Sequence, residues 1–435
     1  MPTPMRSPIF LLLLSVPFSA LRAQDIVTDD LAYFWEAYDA IRQEPDTNAH
    51  LPLFQELLQD RGTPGLKAIQ QARRYTAEDY VAAIRNYPAY WESIRRNEAR
   101  ALAYIPEIAA GLQRFRQLYP DGASAAIYFE PGVFRTPGTA VDGVVVIGAE
   151  LSFADTATVC WELPASMDYV RAYAQQNPID GLVFLAVHEY VHTQQSAAYA
   201  YDLLSQSLFE GIPEFLASLS TGQASVQPAF AYGALHREEV LARFAEEMHN
   251  PFYYHWLYNS SDNEFGVRDL GYFVGYTLAE AYYEKQKDKT KAIKALVELD
   301  FESPAAVAAL VEATGVFPEP LSVYQAAFDA RRPVVEAVEG LGDNLESVPY
   351  GKAAMAVRFS EPMDRRFWST GYGEAGESAF PAITALTFSE DGRTMVYEMD
   401  LEPGKAYDFV INSGYRTADL RPLQPKVVRF KTQPR

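Results

Sequence analysis

Residues 182–192 read Leu-Val-Phe-Leu-Ala-Val-His-Glu-Tyr-Val-His, an apolar run that ends in two histidines four positions apart. On a helix these two positions lie on one face, so the imidazoles of His188 and His192 can bind one zinc ion. Glu189 lies between them and can point toward a water molecule on that metal. The pattern therefore predicts a helix that carries a zinc site with the layout of a hydrolase.

A catalytic zinc site needs a third protein ligand and an open fourth position for water. The best candidates lie downstream in Leu-Phe-Glu-Gly-Ile-Pro-Glu-Phe, residues 208–215, where Glu210 and Glu214 are one helical turn apart. Glu210 can bind the metal while Glu214 holds a histidine. Pro213 is tolerated only near the start of a helix, so we expect this second helix to begin near Glu210.

The two motifs together resemble those of the gluzincins, the thermolysin-like and aminopeptidase-type zinc metallopeptidases. These enzymes carry a His-Glu-x-x-His helix and a following helix that opens Asn-Glu-Gly-x-Ala-Glu. The resemblance implies a role for each matched residue: zinc ligands His188, His192 and Glu210, general base Glu189, and Glu214 as a partner of His188. Phe209 and Pro213 depart from the pattern, at positions that are not expected to touch the metal.

The oxyanion formed during amide hydrolysis needs a donor in addition to the metal. Residues 272–275, Tyr-Phe-Val-Gly, are similar to the Tyr-x-x-Gly of aminopeptidase-type gluzincins, which implies that Tyr272 is this donor. The structural alternative is an aromatic helix face formed by Tyr272 and Tyr276. Tyr254 and His255 are further candidate donors in a neighbouring aromatic stretch.

Three residues are candidates for substrate binding: Glu150, His255 and Arg268. Gly148-Ala149-Glu150 is similar to a Gly-Ala-Met-Glu segment of gluzincin aminopeptidases, whose glutamate holds the free amine of the substrate. A glutamate on the surface at a strand end is the structural alternative for Glu150. Arg268 can meet a substrate carboxylate or form a weak surface ion pair. Endopeptidase and aminopeptidase action therefore both remain open.

The first residues of the chain have the pattern of a secretory signal peptide. Arg6 precedes an apolar stretch with four consecutive leucines, and Ala23 is a suitable cleavage site. We therefore expect a signal peptide over residues 1–23 and an exported protein, either periplasmic or extracellular. No later apolar stretch is long enough to cross a bilayer.

The composition limits the class of partner. With 57 acidic and 37 basic residues the chain has a net charge of -20, which argues against binding to nucleic acid or an anionic membrane. A peptide or protein is the substrate that the zinc motif predicts. The single cysteine, Cys160, cannot form an internal disulfide, so stability must come from core packing.

Helical and strand-like patterns predict an α+β fold. Residues 24–330 are expected to form a mostly helical peptidase domain with a small sheet, formed by strands 125–129 and 144–147, ahead of the metal helix. A loop over residues 131–143 is expected between these strands. We expect the metal helix to follow Asp180 as its N-cap and to continue to about Ser196. Later helices are predicted by apolar spacing at 238–249, 271–285, 291–299, 304–313 and 321–330.

Beyond Arg331 the apolar residues alternate, which predicts a small antiparallel β domain over residues 331–435. Residues 357–364, Val-Arg-Phe-Ser-Glu-Pro-Met-Asp, resemble the opening strand of bacterial Ig-like modules. Residues 401–407 resemble the tyrosine corner of such sandwiches, in which the phenol of Tyr407 bonds back to the chain. The resemblance implies a sandwich that positions the catalytic domain or contacts another protein or a glycan.

Two functions follow from these patterns. The first is a secreted zinc peptidase in which Glu189 is the general base. The second is a zinc-stabilised, non-catalytic binding or adhesion protein that uses the Ig-like domain for its contacts. The presence of a base, three ligands and a candidate oxyanion donor favours the enzyme.

Overall fold

The computed structural model describes residues 26–196 and 200–435, and these form a mixed α and β protein. They divide into two compact units. The first unit contains residues 26–193 and 217–223, and the second contains residues 194–216 and 224–435. The predicted signal peptide, residues 1–23, lies outside the described residues.

The helices of the first unit surround a core of large aromatic side chains. Phe34 and Trp91, for example, are both buried, and their ring centroids are 4.5 Å apart. The helices are α1 (Asp29–Gln43), α2 (His50–Phe54), α3 (Pro64–Arg73), α4 (Ala77–Asn86), α5 (Pro88–Leu102), α6 (Ile105–Leu118), α7 (Ala149–Ser152), α8 (Asp168–Ala174) and α9 (Leu182–His192).

The first unit also contains a four-stranded sheet in the order β1-β2-β4-β3. Its strands are β1 (Ile26–Val27), β2 (Ile127–Glu130), β3 (Gly138–Val141) and β4 (Val144–Gly148). The predicted pairing of the two apolar strands is confirmed, because β2 and β4 pair in parallel with Ile127 opposite Val145. The predicted loop between them is wrong in part, since it contains the edge strand β3, antiparallel to β4.

The turn between β3 and β4 explains how a strand fits into the expected loop. Asp142 and Gly143 both have positive φ, 48° and 76°, as a two-residue hairpin turn of type I′ requires. The Asp-Gly pair was therefore a usable signal for this hairpin.

Helix α9 carries the two histidines but is shorter than expected. It begins at Leu182 and ends at His192, and Asp180 does not cap it. Instead Asp180 lies in a short 3-10 turn, where its carboxylate accepts hydrogen bonds from Arg100 and Asn177. The prediction of an Asp180 cap and of an end near Ser196 is wrong, because these side-chain partners and the 3-10 turn replace the cap.

The second unit begins its helical part with α10 (Leu203–Thr221), of which residues 217–221 belong to the first unit. The five later helices predicted from apolar spacing are confirmed to within two residues at each end. The short helix α11 was not predicted. The remaining helices are α11 (Pro228–Leu235), α12 (Arg237–Glu247), α13 (Leu270–Lys285), α14 (Lys289–Val297), α15 (Pro304–Thr314) and α16 (Leu321–Ala330).

After α16 the same unit continues in two antiparallel sheets, with orders β5-β6-β9-β8 and β11-β10-β7. Residues of both sheets, such as Met355 and Phe409, belong to one buried apolar cluster. The phenol oxygen of Tyr407 accepts a hydrogen bond of 2.7 Å from the backbone N–H of Glu402. The strands are β5 (Val335–Glu339), β6 (Gly351–Phe359), β7 (Thr370–Tyr372), β8 (Ala382–Phe388), β9 (Thr394–Leu401), β10 (Ala406–Ile411) and β11 (Lys426–Lys431).

Among the described residues, no helix combines the length and apolar character that crossing a membrane requires.

Candidate metal centre

Helix α9 places its two histidine rings side by side in its last turn. The Nε2 atoms of His188 and His192 are 3.1 Å apart. Two imidazole nitrogens that bind one tetrahedral zinc ion at the usual bond length are separated by about 3.3 Å. The pair therefore has the spacing of two ligands that share a metal, as the i, i+4 pattern predicts.

Burial of the rest of α9 fixes these rings. Its apolar side chains pack against α6, β3 and β4. The contact with α6 is close, since a Cβ atom on Gly111 would lie 3.0 Å from Val187 Cγ2. The helix therefore has little freedom to rotate away from the position that its histidines need.

Glu189 is half-buried and faces the edge strand β3. A Cβ atom added to Gly138 would lie 2.9 Å from Glu189 Cγ and 3.0 Å from its Oε1. Only a residue without a side chain allows the strand to run this close to the carboxylate. The general base candidate thus lies at a sheet edge whose outer side pairs with no other strand of the described residues.

The second motif lies inside a long helix, because α10 starts at Leu203 and Pro213 is in its interior. The expected start near Glu210 is therefore wrong. Proline has no N–H to offer the carbonyl four residues earlier, which here belongs to Phe209. Gln195 Nε2 donates to that carbonyl at 3.1 Å, so the carbonyl has a donor although the proline supplies none.

Glu210 is buried and is held by a tyrosine. The phenol of Tyr258 donates a hydrogen bond to Glu210 Oε1, and Gln206 Nε2 donates to the phenol oxygen at 2.8 Å. Tyr258 has a left-handed backbone, with φ of 57°, and its N–H donates to Asp269 Oδ1 at 2.7 Å. These bonds orient the Glu210 carboxylate before any ligand arrives.

Among residues 26–196 and 200–435, one group of side chains can together hold a metal ion: His188, His192 and Glu210. One donor atom from each residue lies within 4.8 Å of the others. Two imidazoles and one carboxylate are the donor set of a catalytic zinc site, which leaves a fourth position for water. The residues therefore fit a zinc ion, as the sequence predicts, although the same donors also suit other transition metals.

Glu214, one turn after Glu210, is buried as well. Its Oε1 accepts a hydrogen bond of 2.7 Å from Gln227 Nε2. Gln227 immediately precedes α11, so this bond ties the start of that helix to α10. The carboxylate is thus held in one orientation by Gln227.

Tyr272 lies near Glu210 because α10 and α13 cross at two glycines. A Cβ atom on Gly211 would lie 2.1 Å from the backbone of Gly275, and one on Gly275 would lie 1.7 Å from Ser207 O. The pKa of Tyr272 lies well above its usual value. Burial is the main cause, and the negative charge of Glu210 is the second. Tyr272 therefore keeps its proton and can donate it in a hydrogen bond.

Glu150 is fully buried, which differs from both the substrate-binding and the surface expectation. Its two carboxylate oxygens accept hydrogen bonds of 2.8 and 2.9 Å from the N–H groups of Gly132 and Phe134. Burial raises the pKa of Glu150 to about 7. The side chain therefore anchors the segment that leads from β2 into β3.

His255 and Arg268 are both exposed. Arg268 Nε donates to Asp269 Oδ2 at 2.5 Å, which is the surface ion pair expected as its structural alternative. Among the described residues the metal-ligand group includes neither Glu150 nor His255.

Sequence reasoning missed Tyr258, Gln206 and Gln195. Tyr258 lies in the aromatic stretch that was already a candidate for the site, but nothing in its spacing indicates a bond to Glu210. Pro213 indicated that a donor such as Gln195 was needed. A proline inside a helix leaves one carbonyl without its usual N–H donor, so another group must donate to it.

No family model matches the chain, and no curated protein matches it. Two solved structures that are weakly similar to part of this chain carry the titles "Structure of surface layer protein SbsC, domains 1-6" and "Crystal structure of the S-layer protein rSbsC(31-844)". They are 17% and 16% identical to this chain, with a TM-score of 0.18 in each case. The matches cover 64% of this chain and 39% of each of those chains. At this TM-score neither indicates a fold or a function.

Proposed function

We propose that the chain is a secreted, gluzincin-like zinc peptidase that hydrolyses peptide bonds. The observation that carries the proposal is the group of three donors, His188, His192 and Glu210, within 4.8 Å of one another. The 3.1 Å separation of the two Nε2 atoms supports a shared ion. When bound there, zinc supplies Lewis-acid chemistry and lowers the pKa of water toward ~7.

Glu189 takes the proton of the attacking water and later passes it to the leaving amine. Its place on the same helical turn as the two histidines supports this role. Its half-buried carboxylate beside Gly138 also supports it, because a substrate bound along β3 would lie next to the base.

The outer edge of β3 is the docking site that we propose for the peptide. An extended peptide can add to an unpaired strand through main-chain hydrogen bonds. Recognition of this kind depends on the backbone, so it fits a peptide or protein substrate of varied sequence. It also brings a scissile amide, and not only a free terminus, near Glu189, which favours endopeptidase action.

Tyr272 stabilises the oxyanion in this proposal, because the crossing of α10 and α13 at Gly211 and Gly275 brings it near Glu210 and a phenol can donate a hydrogen bond to the developing negative charge. Tyr258 acts through Glu210 by fixing the orientation of its carboxylate, and the motif resemblance implies the same role for Glu214 toward His188. Removal of either should therefore weaken metal binding, whereas removal of the Tyr272 hydroxyl should slow turnover and leave the metal in place.

Residues 331–435 form an Ig-like sandwich in this proposal. Seven strands in two antiparallel sheets support it, and so does the bond between Tyr407 and Glu402. An exported location, periplasmic or extracellular, follows from the expected signal peptide.

A peptide-library digestion tests the proposal. The purified protein should cleave peptides, lose this activity with a chelator and regain it with zinc. Glu189→Gln, purified in the same way, is the matched control because it removes the base and would retain any contaminating protease. Equal cleavage by this variant, or cleavage that the chelator does not affect, would overturn the peptidase. Absence of cleavage by the zinc-loaded wild type would leave the non-catalytic binding protein as the better interpretation.

A further inference from the structure

The segment between α12 and α13 presents aromatic side chains beside Glu210. Its middle is fixed by Trp256, a buried side chain whose Nε1 donates to Glu247 Oε2 at 2.8 Å. The Trp256 ring also meets Phe244 of α12, with centroids 5.1 Å apart. The middle of the segment is therefore anchored to α12 of the second unit.

Three tyrosines of this segment form a continuous surface that starts at the proposed metal ligand. The Tyr253 ring lies 6.2 Å from that of Tyr258, whose phenol donates to Glu210, and 5.5 Å from that of Tyr254. Tyr254 is 57% exposed and Tyr258 is 48% exposed. Large aromatic side chains with this exposure, next to a candidate catalytic centre, are available to a ligand.

The loop after β10 of the sandwich holds the N-terminal part of the segment. The Arg416 guanidinium lies 4.2 Å from the centroid of the Phe252 ring and 3.5 Å from that of Phe367. Phe252 directly precedes the tyrosines, and Phe367 belongs to the sandwich. A guanidinium between two aromatic faces is held by cation–π attraction and stacking.

Asn250 makes a second connection at the same place. This buried side chain donates from Nδ2 to Leu420 O at 3.1 Å, and its Oδ1 accepts from the N–H of Phe252 at 3.0 Å. Its backbone oxygen also accepts from the N–H of Leu203, the first residue of α10. One asparagine thus joins the sandwich loop, the aromatic segment and the helix that carries Glu210.

We propose that Tyr253, Tyr254 and Tyr258 form a substrate-contacting surface, and that Arg416 is a positioning residue that holds this surface through Phe252. The ligand class is an extended peptide, because tyrosine rings pack on apolar side chains and phenols donate to main-chain carbonyls. The inference rests on the proposed function. It adds a role for the sandwich, because its residue Arg416 supports the binding surface through Phe252.

Tyr254→Ala tests the contact with substrate. It should raise KM about tenfold with little change in kcat or zinc content, because the side chain binds substrate away from the reacting atoms. The matched control is Tyr372→Ala on β7, since Tyr372 is also 57% exposed. An unchanged KM in Tyr254→Ala, or the same rise in Tyr372→Ala, would overturn the proposed surface.

Arg416→Ala tests the positioning role without any need for activity. Hydrogen exchange of the amides of residues 252–255 should speed up about tenfold or more, while exchange in α13 stays as in wild type. Arg416→Lys keeps the cation and should recover part of the protection. The control is Arg358→Ala, which removes an exposed arginine of β6 that pairs with Glu336.

These two readouts separate the inference from the function on which it rests. If the wild type cleaves no peptide, the proposed function and the substrate surface both fail. The exchange experiment still decides the role of Arg416 in that case. Unchanged exchange of residues 252–255 in a folded Arg416→Ala protein would overturn that role even in an active enzyme.

Discussion

Removal of the Tyr258 hydroxyl should weaken zinc binding, although none of the proposed metal ligands is changed. Tyr258→Phe keeps the ring but loses the hydroxyl that donates to Glu210 Oε1 and accepts from Gln206. Loss of a partner that orients a metal ligand costs about 10- to 100-fold in metal affinity. This corresponds to about 1.4 to 2.7 kcal/mol of binding free energy.

The same change leaves the buried Gln206 amide without its acceptor, which should lower the free energy of unfolding by about 1 to 3 kcal/mol. Zinc affinity is measured by competition with a chromophoric chelator, and stability by denaturant unfolding of the zinc-free protein. Tyr407→Phe is the matched control, because its phenol also has a hydrogen bond, from the N–H of Glu402, but lies in the β-sheet region of residues 331–435.

The control should lose stability and keep the wild-type zinc affinity. If Tyr258→Phe binds zinc as tightly as the wild type does, the bond to Glu210 has no role in metal binding. The assignment of Tyr258 would then be wrong.

Three further predictions follow from single contacts. Gly138→Ala places a Cβ atom 2.9 Å from Glu189 Cγ, so turnover should fall roughly 10- to 100-fold while the zinc content stays the same. Ala140→Ser on the same strand is the control. Equal losses of turnover in both variants would contradict the role of Gly138. Burial raises the pKa of Glu150 from 4.5 to about 7, so its contribution to stability is complete below about pH 4.5 and is lost as the pH rises through 7. Glu150→Gln should therefore flatten the pH dependence of the unfolding free energy by about 3 kcal/mol between pH 4 and 8, and an unchanged slope in denaturant titrations would refute this. Gln195→Ala removes the donor to Phe209 O and should cost about 1 to 3 kcal/mol in denaturant unfolding, whereas Gln175→Ala, at an exposed position, should cost almost nothing.

The three side chains that the structure groups as possible metal ligands are those that the sequence predicted, partly from local geometry and partly from a motif resemblance. His188 and His192 lie on one helical face through their spacing alone, and the grouping of Glu210 with them is what the motif resemblance implied. Periodic apolar spacing also located the later helices, since burial of one face imposes that period.

Features that depend on tertiary contacts were missed. The long α10 was not expected because Pro213 normally ends a helix, and only a side chain from elsewhere in the chain, Gln195, makes it tolerable. Glu150 was expected on the surface or at the substrate, and its burial depends on the path of the segment around Gly132. No local pattern contains information of this kind.

The zinc content of three proteins tests the central claim most directly. Elemental analysis of the wild type, Glu189→Gln and His188→Ala, each purified and dialysed in parallel, should find one zinc ion per chain in the first two and none in the third. This result is expected because His188 is a ligand and Glu189 is a base that does not bind the metal. Full zinc occupancy in His188→Ala, or loss of zinc from Glu189→Gln, would contradict the assignment of the site.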